Sequence, residues 1–594
     1  MHITFARFPE ILFAVVCLVN VQSEEVGESP KMHVYMNKVW PSSNPIETYR
    51  YYDFPFCQPW RIQQVEMSFG QVLRGDRLTH SLYQVEFLRN KTNVPVCEKT
   101  FTPGELTRLS EAVKRNYLYE MVVGGLPVTM AVGTSSTGRY SLLCTHVKFE
   151  LGFNEDALVS ADAKCVNTTQ LSTSTTPVGF EYSVEWRVRD DIELKDSMAS
   201  QQMQLANVLG VRKSSSVAVH WISILNSLML ATMLFAIVLI VVVRVVRADL
   251  SPFNDSEKGQ AFEEENVTWK LLHGDVFRPP VHRMWLCAAV GAGTQLLIVF
   301  CVVILLGALG VAYAQRGALI TTAVVLYMLS AAVAGYVSAR LYNRIGGVKW
   351  KWNILVTSLL FTGPCFLIWS ILNTVAIAHN STAAFPFLTI LQLFAMWALI
   401  TIPLTVVGGL AGRQWSKKSL SSGKLRASFF PVKTNRIPRE IPRSTWFCSK
   451  IVQMSTCGLI SFCSIYLELK FIFQSVWTEG RLYTLYGVLV VAVALLLLLA
   501  TILTVLFTYV HLNFAENYKW WWRSFLSGGA VAFFFYAYAV YFYAHSEMNG
   551  FLQPAFFFLY SLLAAYAVAL VIGTLSFATT YNFVWFIYSH VKSE

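Results

Sequence analysis

Apolar residues are spread unevenly along this chain of 594 residues, gathering from about residue 221 onward into nine long stretches. These run over Trp221–Val243, Leu286–Ala314, Ala318–Ala339, Asn353–Asn373, Ala384–Ala411, Ile451–Ser475, Leu482–Val510, Phe525–Ala544 and Leu552–Tyr588. Each supplies the roughly 20 apolar residues that a helix needs to cross a hydrocarbon core about 30 Å thick. The pattern predicts a polytopic membrane domain of nine helices.

Upstream the period changes. Ser81–Leu88, Leu142–Leu151 and Phe180–Val188 alternate apolar and polar side chains and are rich in Val, Tyr and Phe. Gly, Pro and Asn clusters separate these runs, and period two of this kind predicts an antiparallel β-sandwich. At about 170 residues such a domain is large enough for a core of its own. The Ser/Thr-rich stretch Gln170–Pro177 reads as a surface loop. The chain therefore divides into a leader (1–23), a β-rich domain (24–195), a linker (196–220), the membrane domain (221–590) and a short tail (591–594).

Charge gives the orientation. Counted between spans in order, Lys and Arg number six, one, four, none, ten, one, two and none, with Lys592 in the tail. Basic residues are retained on the cytosolic side. The totals, 23 against 2, put the odd loops and the C-terminus in the cytosol and the β-rich domain in the lumen. A chain that is 54% hydrophobic and 14% charged is a membrane composition. Its net charge of +11 comes largely from residues 413–450, where ten basic residues face the single acid Glu440. Attraction to anionic lipid, about 1 kcal/mol per basic residue near the surface, accounts for that loop without nucleic acid.

The first 23 residues join Arg7 to an apolar run, Ile11–Val21, with Val21 and Ser23 placed for signal cleavage. The β-rich domain then matures in an oxidising compartment, where Cys57, Cys97, Cys144 and Cys165 allow three disulfide pairings. Chain order favours Cys57 with Cys97 and Cys144 with Cys165. The other six mature cysteines lie in or beside spans, lack zinc-ligand spacing and read as small apolar residues. Sequons occur at Asn90, Asn167, Asn254, Asn266 and Asn380. Topology leaves Asn90 and Asn167 as the glycan acceptors: Asn254 and Asn266 fall in a cytosolic loop, and Asn380 in a very short lumenal one.

Several strings are more specific than composition. Tyr51 to Pro59 reads Tyr-Tyr-Asp-Phe-Pro-Phe-Cys-Gln-Pro, and Gly70 to Arg77 reads Gly-Gln-Val-Leu-Arg-Gly-Asp-Arg. Val219–Ser227, Gly274–Pro280, Gly335–Tyr342, Asn435–Pro442 and Tyr518–Phe525 follow in order. Together they resemble the transmembrane nine superfamily, the nonaspanins, across more than 500 residues. Departures are the acidic patch Glu263-Glu264-Glu265, Lys470 at a position expected to be apolar, and a loosely similar region from Val94 to Gly179. The resemblance implies a lumenal domain on nine helices that cycles between Golgi and endosomal membranes and sorts client membrane proteins. It also implies that the terminal Lys592-Ser593-Glu594, of Lys-any-acidic form, binds coatomer through Lys592 and Glu594. Physically, an exposed ammonium and two carboxylates would enter a complementary charged groove.

Within the spans, Glu468 is costly at membrane depth, about 2.5 to 3.5 kcal/mol on insertion scales, and must face a partner or a cavity. Lys470 lies about 200° around a helix from it, so each needs its own neighbour, with Gln295, Gln392 and Asn353 as candidates. Two readings stand: interhelical hydrogen bonding, or an ion or proton path. Pro364, Pro386 and Pro403 fall in or near the fourth and fifth spans, with Gly408 and Gly412 spaced for close helix approach. Such interrupted helices line substrate sites in transporters. They also arise in ordinary packing, and in the nonaspanin reading this small-residue surface would contact client spans. Trp520-Trp521-Trp522 beside Lys519 and Arg523 reads as an interfacial anchor. Arg74-Gly75-Asp76 matches an integrin-binding tripeptide only inside a longer family-like string. No metalloprotease, phosphate-binding or nucleophile-elbow motif occurs, so no catalytic residue, cofactor or metal is implied. The sequence thus points to an endomembrane sorting protein, with an ion or small-solute transporter as the alternative.

Overall fold

The computed structural model describes residues 31–136, 140–154, 157–171, 177–189, 272–309, 317–421, 430–432, 434–442, 446–478, 486–546, 548 and 550–589, with parts of 225–244. The predicted leader, the linker, the sequons at Asn254 and Asn266, and the terminal Lys592 and Glu594 lie outside the described residues.

The N-terminal domain is two five-stranded sheets. In the first, β1 (Lys31–Pro41) pairs with β2 (Tyr49–Arg50) and β3 (Thr79–Glu86) on one side. On its other side lies β5 (Tyr117–Val123), followed by β6 (Leu126–Ala131). The second sheet is built on the long β8 (Tyr140–Asn154), which pairs with β7 (Gly133–Ser136), β9 (Ala157–Gln170) and β10 (Val178–Val188). β4 (Lys91–Lys99) closes it beyond β10. The expectation of a wholly antiparallel domain fails at one place. β10 runs parallel to β8, from Glu181 opposite His146 to Val188 opposite Phe153. A hairpin cannot make that pairing; the intervening β9 carries the chain back to the starting end.

One core joins the sheets. Val34, Met36 and Met121 of the first pack in the same cluster as Phe149, Leu151 and Tyr182 of the second. The Tyr83 ring meets Phe149 and Tyr182 edge-on across the gap, with centroids 5.4 Å apart in both cases. Each large apolar side chain buried here contributes about 1.5–3 kcal/mol over leaving it in water. Cys57 is bonded to Cys97 and Cys144 to Cys165, with Cα–Cα distances of 6.2 and 5.9 Å. Two helices start on reciprocal caps. Ser68 and Gln71 cap α1 (Phe69–Leu73), and Thr102 and Glu105 cap α2 (Pro103–Lys114).

Seven described helices are long and apolar enough to cross a membrane, and an eighth if one bent pair counts as a single span. A short apolar helix, α3 (Thr232–Val241), falls in the segment predicted as the first span. Then come α4 (Arg283–Ala308), α5 (Ala318–Arg344) and α6 (Trp350–Ala378). α7 (Phe387–Met396) passes through a π turn, Trp397–Thr401, into α8 (Ile402–Ser421). α9 (Lys450–Cys463) and α10 (Tyr466–Phe473) are the bent pair, at 66°. α11 (Tyr486–Phe514) follows. α12 (Trp521–Gly529) and α13 (Val531–Ala544) form one further span, and α14 (Leu552–Ser589) the last.

The interruptions have local causes. Pro403 cannot donate to the preceding turn, and the π turn immediately before it absorbs the mismatch. Pro364 sits inside α6 without breaking it, although proline leaves the carbonyl four residues back without its helical donor. That carbonyl belongs to Leu360, and the Tyr566 hydroxyl of α14 donates to it at 2.8 Å. In a medium without water this replacement bond is what keeps the helix continuous.

The two halves meet at the end of the bundle where α5 begins. A Cβ on Gly70 of α1 would overlap the Gly317 carbonyl, and one on Gly317 would lie 2.7 Å from the Gln71 nitrogen. Gly317 also has φ +82°, which only glycine adopts freely. Thr382 donates from its backbone to the Thr48 carbonyl (2.9 Å) and from its hydroxyl to the Thr48 hydroxyl (2.6 Å). The Arg77 guanidinium donates to the Ala384 carbonyl at 2.6 Å.

Tyr566→Phe should cost about 1–3 kcal/mol by orphaning the Leu360 carbonyl, read as a lower Tm of the detergent-purified protein; an unchanged Tm would contradict the account. The N-terminal domain should also tolerate acid. Hydrogen bonds from Lys148 and Arg187 hold the Glu185 carboxyl down at about 2. Its contribution is therefore complete above the unfolded value of about 4.3 and is lost only as pH falls toward 2. Burial instead pushes the Asp162 carboxyl up, so protonating it as pH falls through that raised value adds stability. Amide-exchange protection of β8–β10 in the full-length protein should hold or rise from about pH 7 to about pH 5; loss of protection there would contradict it.

Candidate functional site

Three features of the membrane domain could carry function. The first is a knot at the end of the bundle opposite the N-terminal domain, where three of the family-like strings converge. Asp275, buried, accepts from the Arg278 side chain and from the Arg439 backbone at 3.2 Å. Asn435 donates to the Gly274 carbonyl at 2.8 Å, and Arg439 pairs with Glu516 at 2.7 Å. The Trp520 indole donates to the Val276 carbonyl at 2.9 Å. This corrects the interfacial-anchor reading: Trp520 and Trp521 are buried core residues, stacked at 4.6 Å. Only Trp522 is partly exposed, and it donates to the Val281 carbonyl. Two Trp on one buried face and one on the rim cannot be told from an anchor by composition.

The second is a polar seam. Gln453, Cys457 and Ser461 recur every four residues on the buried face of α9, and Ser464 and Glu468 continue the line past the bend. Thr501, Thr504, Thr508 and His511 form the buried polar face of α11, and Cys457 meets Thr504 at 3.7 Å. Arg523 closes one end. Its Nη1 lies 3.0 Å from Gln453 Oε1, 2.9 Å from the Cys448 carbonyl and 2.6 Å from His511 Nδ1. A guanidinium only donates, so His511 accepts at Nδ1 and carries its proton on Nε2. That Nε2, Gln453 Nε2 and Ser461 Oγ are buried without a partner among the described residues. Orphans of this kind are sites for internal water. Glu468 is buried, whereas Lys470 is exposed on the other side of the short α10. The partners suggested from sequence are engaged elsewhere: Gln295 donates to the Tyr327 carbonyl, Asn353 to Ser338, and Gln392 is exposed beside α1.

The third is an apolar cavity of about 480 Å³ at the N-terminal-domain end, between α4, α5, α6, α7 and α14. Leu73 of α1 reaches it from above, and the π turn at Trp397–Thr401 forms part of its wall. The span Phe387–Ser416 is the least buried of the seven, 11% against 50% for Arg283–Ala308. Its second half is nevertheless tightly held. A Cβ on Gly408 would overlap the Ala332 carbonyl, and one on Gly412 would lie 2.5 Å from the Tyr336 carbonyl. Gly408 and Gly412 thus join α8 to α5, and this small-residue surface is not open to a client span. Asp76 is wholly buried against Asn37 and Lys38, so the Arg74-Gly75-Asp76 tripeptide cannot engage a receptor through its carboxylate. Asn90 and Asn167 are both exposed. Among the described residues no cluster of His, Cys, Asp or Glu could hold a metal ion.

A two-sheet N-terminal domain seated on a bundle of apolar helices defines a multi-pass membrane protein. The chain belongs to the endomembrane protein 70 family, whose model matches residues 48–551. It is 36% identical over 575 residues to transmembrane 9 superfamily member 4 of Arabidopsis thaliana, covering 94% of this chain and 93% of that one. Member 1 of Bos taurus is 36% identical over 583 residues (94% and 93% covered), and member 5 of Arabidopsis thaliana 32% over 600 residues (98% and 98%). No solved structure matches the chain. Membership makes it a membrane protein of the endomembrane system, and neither family name indicates catalysis.

Arg523→Met would leave Gln453, His511 and the Cys448 carbonyl without their donor, at about 1–3 kcal/mol for each buried group. Thermal unfolding in detergent should show a fall in Tm larger than that of Tyr566→Phe; equal or smaller loss would mean that Arg523 does not organise the seam.

Proposed function

We propose that this protein sorts or localises other membrane proteins in the Golgi and endosomal system, as a nine-span protein with a lumenal β-sandwich and a cytosolic C-terminus. The observation that supports this reading best is the under-buried span Phe387–Ser416. Its first half stands off from the bundle with Phe387, Leu388, Leu391 and Phe394 exposed, a lateral apolar face beside which a client span can lie. Clients engaged there or by the lumenal domain are carried with the protein, and the tail passes the complex to coatomer through Lys592 and Glu594. The basic loop 413–450 holds anionic lipid at the cytosolic surface. Asn90 and Asn167 carry glycans on the lumenal side. Nucleic acid has no part in this reading.

A second reading, an ion or small-solute transporter, is favoured by the polar seam that leads from Arg523 toward Glu468. The two part in experiment. If sorting is right, Lys592→Ser with Glu594→Ser abolishes coatomer capture and moves the protein to the surface or lysosome, and client membrane proteins lose their normal location on deletion. If clients stay in place and proteoliposomes instead show a flux that Glu468→Gln removes, the transporter reading replaces it.

A further inference from the structure

We propose that the cavity beneath α1 is a lipid site that takes one acyl chain of a phospholipid, with Arg74 at the phosphate. The proposal rests on the cavity and on Arg74 beside it, and stands or falls independently of client sorting. Apart from Leu73, every lining residue belongs to a membrane-spanning segment, so hydrocarbon is the surrounding medium. No charged side chain lines the wall, which excludes a headgroup from the interior. Among the polar groups there, the hydroxyls of Tyr327 and Thr362 are spent on each other at 2.8 Å. What the wall offers is aromatic and aliphatic surface, including Phe361, Phe366 and Trp369.

Size narrows the ligand. An apolar protein cavity of about 150 Å³ takes up benzene. A cavity of about 480 Å³ is roughly three times that, room for a chain of about 18 carbons rather than for a second helix. The residue next to Leu73 supplies the charge. Arg74 follows Leu73 directly and is exposed. A guanidinium one residue beyond the cavity lining suits a phosphate bidentately. Because α1 is seated on Gly317, chain occupancy under Leu73 bears on how the N-terminal domain is docked.

The test uses full-length protein in phosphatidylcholine vesicles containing a phosphatidylcholine with a diazirine near the end of one acyl chain. Peptide mapping after photolysis should place adducts in 319–328 and 361–369 above the level at the exposed Phe387 and Phe533. Val324→Trp fills the cavity from α5 and should cut those adducts about tenfold, the loss expected once two or more methylenes lose their burial. Leu563→Trp fills it from α14 and serves if the first variant does not fold. Arg74→Gln should weaken labelling by the phospholipid but not by a diazirine fatty alcohol, which lacks the phosphate. Adducts spread evenly over exposed positions, or unchanged by both Trp variants, would overturn the proposal. So would preferential labelling by a diazirine sterol.

Discussion

The contact between Gly70 and Gly317 is the point on which the arrangement of the molecule turns. Neither backbone could come so close with a side chain present, and Gly317 adopts a left-handed conformation just where α5 begins. This one approach lets a helix of five residues, capped by Ser68 and Gln71, sit among the ends of the spans. It sets Leu73 over the apolar cavity and brings Met67, Phe69 and Val72 alongside α7. The contacts from Thr48 and Arg77 to the 382–384 turn then complete a junction that is polar at its edge and apolar at its centre.

Inside the bundle the governing constraint is the lack of water. Backbone and side-chain polar groups must find partners within the protein. The Leu360 carbonyl freed by Pro364 is met by Tyr566, three acceptors converge on Arg523, and Asn353, Ser338 and Thr357 bond in sequence. Among the described buried groups without a partner, those of Gln453, Ser461 and His511 lie along the seam that also holds Glu468, while others, such as Ser358 and Ser561, are scattered through the bundle. Packing by small residues does the rest: α5 and α8 touch backbone to backbone at Gly335, Gly408 and Gly412.

Much of this was legible in the sequence, and the remainder was not for identifiable reasons. Long apolar runs locate spans because membrane thickness sets their length; Arg283–Ala308, Ala318–Arg344 and Leu552–Ser589 each overlap most of the expected stretch, with ends up to six residues away. The bend between Cys463 and Tyr466 left no proline or glycine to read, since the backbone leaves helical geometry at Ile465, where φ is −115° and ψ 1°. The parallel β8–β10 pair depends on where β9 returns the chain, which alternation does not encode. Whether Gly408 and Gly412 face a client or a neighbouring helix, and whether Trp520 and Trp521 face lipid or core, is decided by the partner surface. The cavity was invisible, because it is bounded by residues from five helices whose distance along the chain hides their convergence.

α1 is inserted into the membrane domain and unites the two halves of the molecule. Single cysteines at Leu73 and Trp60 can be labelled with a membrane-impermeant maleimide in intact vesicles oriented with the N-terminal domain outward. Trp60 is fully exposed and should label readily, whereas Leu73→Cys should stay unlabelled until detergent is added. Labelling at both positions at the same rate would mean that the N-terminal domain rests on the bundle without entering it.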